Sequence, residues 1–145
     1  MKKIPNWIIH NKWAKKAGIN DNIANIVNRA VDYGFNWMFF KEHDLKSMKA
    51  IEDPFYQQLQ FFYKKNKNNL LYIKALYLHQ LLDFFKETNV KINDIELVFK
   101  KFLQDKVVVE IQDSDGIKVN FQEQIEEIFN LIRENKEKLF KDLKS

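Results

Sequence analysis

Apolar residues recur at three- and four-residue intervals through most of the chain, and that spacing predicts helices. Trp7, His10, Trp13, Ala14 and Ala17 line one face of a first helix over 7–17, with Pro5 and Asn6 at its start and Gly18 placed to end it in the left-handed region. Asn20 is suited to cap a second helix, whose inward face reads Ile23, Ile26, Val27, Ala30 and Val31 and which Gly34 ends. The apolar run from Phe35 to Phe40 leads into a third helix through His43 and Asp44. Asp53 followed by Pro54 has the form of a cap and a first helical residue, opening a fourth helix that ends near Lys65. Beyond the polar connection 64–69, residues 70–86 are apolar nearly all round, so this fifth helix belongs at the centre of a bundle.

The remaining third is patterned differently. Asn93 with Glu96 forms a capping-box spacing ahead of a helix ending near Leu103. Residues 107–111 and 117–121 flank Asp113-Ser114-Asp115-Gly116, which predicts a β-hairpin. One long amphipathic helix closes the chain, with Ile125, Ile128, Phe129, Ile132, Leu139, Phe140 and Leu143 as its stripe. The expected fold is mainly α: a five-helix core over 1–88, with helix, hairpin and C-terminal helix of 89–145 packed on it as a single domain.

Composition narrows the function. At 145 residues and 46% apolar content the chain has enough core to fold without staples, and with no cysteine it has neither disulfides nor thiol chemistry. The apolar patch from Ile4 to Ile9 is too short for a secretory segment and no run of 18 apolar residues occurs, so the expectation is a soluble cytoplasmic protein. The net charge of +4 is unevenly spread. Residues 1–82 hold thirteen Lys and Arg against six Asp and Glu, a balance of +7, and residues 83–145 carry −3. An anionic partner would meet the first half.

All three histidines, His10, His43 and His79, lie in that basic half. His10 is in the inward stripe of its helix, His43 is followed by Asp44, and His79 precedes Asp83 by four residues on one helical face. A single buried histidine is ordinarily a hydrogen-bonded core residue. Here each falls at an inward or carboxylate-paired position, and an aspartate on the face of an apolar helix is costly unless paired. His10, His43, Asp44, His79 and Asp83 are therefore candidate ligands for one divalent ion inside a helical bundle, where such sites are commonly built. Imidazole and carboxylate donors suit Zn, Mn, Ni, Co or Fe.

A histidine on a first helix, a His-Asp doublet some thirty residues later and an aspartate on a fifth helix resemble the HD-domain metal-dependent phosphohydrolases. The residues are His10, His43-Asp44 and Asp83. The resemblance covers about residues 7–86. It implies one divalent metal, or two at the doublet, and hydrolysis of phosphate esters of nucleotides or related compounds. Where many members carry a lysine three residues after the doublet, this chain has Ser47, with Lys46 one residue earlier. A second likeness is to zinc-dependent phospholipase C relatives, carried by Pro5…His10 and by the His79-x-x-x-Asp83 helix. The stretch Ile26–Asp32 is similar to a helix of that group, with Ile23 where a histidine usually stands.

Both likenesses imply a phosphohydrolase in which a divalent ion lowers the pKa of its water, the nucleophile, and polarises a phosphoryl oxygen. Asp44 is the candidate catalytic residue, as ligand or base. Lys12 and Lys46 are candidates to neutralise a phosphorylated small molecule or nucleotide. Two other readings compete. Lys64, Lys65, Lys67 and Lys74 fall in a stretch, 54–82, without acidic residues and could contact nucleic acid, although the chain has only two arginines. Alternatively, the C-terminal stripe docks on a partner or a second copy as a homodimer. No glycine-rich phosphate loop or nucleophile elbow is present.

Overall fold

The computed structural model describes residues 7–33, 54–66, 69–113 and 115–144. The helix expected over 35–44, the termination at Gly34, the Asp53 cap and the side chain of Trp7 lie outside them.

Helix α1 (Trp7–Lys16) ends as its sequence dictates. Gly18 adopts φ +83°, and the chain turns back so that Gly18 N–H donates to Lys15 O and Ile19 N–H donates to Ala14 O, at 3.0 and 2.9 Å. These two bonds satisfy carbonyls that a helix end leaves open, and Ile19 buries beside them. Asn20 caps α2 (Asp21–Tyr33) by accepting the Ile23 N–H at 2.9 Å. The deep face of α2 is rotated slightly from expectation. Ile23, Val27 and Ala30 are buried as expected, but Ala24 and Asn28 share the deepest positions while Ile26 and Val31 stay half-buried.

Helix α3 (Pro54–Lys65) turns Phe55, Leu59 and Phe62 inward at one-turn spacing. Helix α4 (Leu71–Thr88) is the centre of the molecule: ten of its eighteen residues are buried, and it packs against α1, α2, α3 and the two helices described next. Burying a Leu, Ile or Phe side chain is worth roughly 1.5–3 kcal/mol, so this helix anchors the fold.

A 3₁₀ turn (Ile92–Asp94) leads into α5 (Ile95–Asp105). The expected capping box does not form there. Neither Lys91 nor Asp94 caps through its side chain, and the Glu96 carboxylate is taken instead by Arg133, whose Nε and Nη2 donate to it at 2.7 and 2.8 Å. The hairpin is present but short. β1 (Glu110–Gln112) pairs antiparallel with β2 (Lys118–Asn120), with Ile111 opposite Val119. Its turn is held by the Asp113 carboxylate, which accepts the N–H groups of Asp115 and Ile117, both at 2.9 Å, and Gly116 takes φ +78°.

The closing helix is broken in two, α6 (Gln122–Glu134) and α7 (Lys136–Lys144). At the break the Asn135 side chain donates to Leu131 O and its backbone N–H turns to Ile132 O, so side chain and backbone compete for the same turn. The stripe itself buries within the chain: Ile125, Ile128, Phe129, Ile132 and Leu139 join one core cluster that begins at Trp13. No helix among the described residues is long and apolar enough to cross a membrane.

Candidate metal centre

His10 comes from α1, Asp32 from the last turn of α2, and His79 and Asp83 from successive turns of α4. The helices converge because small residues line their contact: Ala14, Ala24 and Ala75 face the same narrow cavity as the two imidazoles. His10 and His79 are 3% and 2% exposed, and their rings stack with centroids 4.3 Å apart.

The Asp83 carboxylate bridges them. Its Oδ1 lies 3.1 Å from His10 Nε2 and its Oδ2 lies 3.2 Å from His79 Nε2. Asp32 Oδ1 approaches the same His79 Nε2 at 3.3 Å. Both carboxylate side chains are 23% exposed, so the cluster has two buried imidazoles and a carboxylate edge toward solvent. Asp83 Oδ1 shares a hydrogen bond with His10 Nε2, whereas His79 Nε2 is a buried polar atom with no such bond. Its other nitrogen is engaged: Nδ1 stands 2.6 Å from Asn28 Oδ1.

Charge follows from this placement. Burial disfavours a charged His79, but contacts with Asp32 and Asp83 outweigh it and raise its pKa above the usual imidazole value. Burial likewise pushes Asp83 up, yet the His10 and His79 rings prevail and hold it down to about 2. Two carboxylates thus stand beside His79 and favour its charged form.

His10, His79 and Asp83 donor atoms all lie within 4.8 Å of one another. Donors about 2.1 Å from a tetrahedral ion stand about 3.4 Å apart. The His10–Asp83 and His79–Asp83 separations, 3.1 and 3.2 Å, fit that spacing, and Asp32 stands beside His79 without joining the group. Two nitrogen donors and a carboxylate suit a borderline divalent ion.

Three of the residues singled out from sequence thus meet: His10, His79 and Asp83. His43, Asp44 and Lys46 lie outside the described residues. Lys12 is half-exposed, two residues from His10 and so on another helical face, and its Nζ pairs with Asp142 of α7 at 2.8 Å. Asp32 and Asn28 were not singled out. The available signal was their spacing: Ala24, Asn28 and Asp32 follow one another by single turns along α2, a polar line continuing an apolar one.

No protein-family model, curated protein or solved structure matches this chain.

Proposed function

We propose that the chain binds one divalent cation between His10, His79 and Asp83, with Asp32 beside His79, and hydrolyses phosphoesters there. The observation that carries the reading is His79 Nε2: a buried nitrogen without a hydrogen bond, faced by oxygens of two carboxylates at 3.2 and 3.3 Å. A lone pair and two anionic oxygens repel one another unless a positive centre lies between them.

A divalent ion in such a site supplies Lewis acidity and a water of lowered pKa. The chain's own contributions are distinct. Asp83 spans both imidazoles and holds them in register. Asp32 and Asp83 keep the open edge polar. The charge of +7 over residues 1–82 draws a phosphorylated small molecule or nucleotide toward the half that holds His10 and His79, with Asp83 at its border. Asp44 of the His43-Asp44 doublet is the base in this reading, and Lys46 the phosphate contact, as the likeness to HD-domain phosphohydrolases implies. Zn, Mn, Ni, Co and Fe all match the donor set.

Elemental analysis after supplementation with each of these ions tests the metal. One ion per wild-type chain is expected, with His79→Ala and Asp83→Ala retaining less than a tenth of it. Absence of stoichiometric metal from the folded wild type would sink the reading. Hydrolysis is then assayed on bis(p-nitrophenyl) phosphate and nucleoside monophosphates, with Asp44→Asn expected to lose activity while keeping its fold.

A further inference from the structure

We infer that Asn28 is a positioning residue for His79: held by an amide relay, it fixes the imidazole tautomer so that Nε2 turns its lone pair toward the cation. This rests on the metal reading above. Asn28 is 3% exposed, a depth at which an unpaired amide would be costly, and every described partner it has belongs to one chain of bonds. Its Oδ1 is 2.6 Å from His79 Nδ1. Its Nδ2 donates to Asn11 Oδ1 at 2.9 Å, and Asn11 Nδ2 donates in turn to Asn25 Oδ1 at 2.9 Å.

The relay has a direction. An amide presents a donor at one end and an acceptor at the other, and the Asn28 donor end is committed to Asn11. The end facing His79 is therefore an oxygen, which can only accept. Nδ1 must carry the proton, and in the neutral ring the lone pair then sits on Nε2, the atom that faces Asp32 and Asp83. The relay joins α1 (Asn11), α2 (Asn25 and Asn28) and α4 (His79), so the tautomer is set by how three helices dock.

Partners of ligating histidines are commonly carboxylates, backbone carbonyls or waters. Here the partner is a neutral amide, and charge explains the choice. Asp32 and Asp83 already supply two negative charges, which a divalent ion neutralises. A third carboxylate would leave the buried side of the site with uncompensated charge.

The test uses Zn²⁺ alone with the full chain, by calorimetric titration, and ¹⁵N NMR of the imidazoles in the metal-free protein at a pH where His79 is neutral. Wild type is expected to bind Zn²⁺ and, metal-free, to show Nδ1–H on His79 with the lone pair on Nε2. Asn28→Leu is expected to lose roughly 10- to 100-fold in Zn²⁺ affinity and the single tautomer. Asn28→Asp, which keeps an acceptor oxygen but adds the third carboxylate, is expected to restore the Nδ1–H tautomer without restoring wild-type affinity. Asn11→Ala leaves Asn28 in place but frees its amide to rotate, so two tautomers should coexist even if the leucine variant fails to fold.

Equal affinity in wild type and a folded Asn28→Leu, or an Nε2–H tautomer in metal-free wild type with His79 neutral, overturns the positioning role and leaves the metal reading standing. An Asn28→Asp variant without the Nδ1–H tautomer, or a single unchanged tautomer in Asn11→Ala, does the same. Wild type that binds no Zn²⁺ overturns both.

Discussion

An imidazole buried against two carboxylates has two ways to rest, with a proton or with a cation, and they respond oppositely to pH. In the metal-free protein His79 has a raised pKa, so its protonated form stabilises the fold fully below the ordinary imidazole value of about 6.5 and that contribution is lost as pH rises through the raised value. Asp83, held down to about 2, stabilises above the ordinary carboxylate value of about 4 and loses that contribution as pH falls toward 2. The metal-free protein should accordingly melt highest between about pH 4 and 6.5. Saturating Zn²⁺ should remove the loss on the alkaline side, because the ion replaces the proton. Thermal melts across pH 3–9, with chelator and with Zn²⁺, check this; identical curves would mean that nothing but a proton occupies the cluster.

Helix ends show where sequence suffices. Gly18 and Asn20 act through bonds to residues within five positions, so their roles were legible before any tertiary contact was known. Gly18→Ala should cost on the order of 1 kcal/mol in chemical denaturation, with an unchanged slope. A methyl at Gly18 meets no atom within 4 Å, so the cost is conformational alone. The largely apolar α4 was legible for a related reason, since a helix with ten of eighteen residues buried keeps only a narrow polar stripe. Glu96 misled because its competitor, Arg133, is 37 residues away and sits over the Phe99 ring at 5.0 Å. Asn135 misled because an apolar stripe can continue in phase across a broken turn. In the site, His10, His79 and Asp83 stood out as polar residues on apolar faces. Asn28 and Asp32 did not, because Asn and Asp on a helix look like its wet side until the neighbouring helices are placed.

At the scale of the molecule, α4 joins the two regions distinguished by charge. One side carries the histidine cluster against α1 and α2; the other carries aromatic packing, in which Phe85 and Phe84 meet Phe99 and Phe102 of α5, and Phe99 stacks on Phe129 of α6 at 4.1 Å. The acidic region also reaches back to the site's first helix, since Asp142 accepts from Trp13 Nε1 at 3.0 Å as well as from Lys12. The hairpin contributes in another way. On the side of β1 away from β2, the Gln112 N–H donates to Tyr56 Oη at 3.1 Å and its carbonyl accepts from Gln60 Nε2 at 2.9 Å, so α3 occupies hydrogen-bonding groups that a ribbon this small would otherwise offer to any extended strand. A Tyr56→Phe/Gln60→Ala double variant should keep its helical circular dichroism yet self-associate as concentration rises, read by light scattering, and a strictly monomeric variant would refute this. Two side chains of one helix thereby cover backbone groups of the ribbon's outer edge that cross-strand pairing between copies would need.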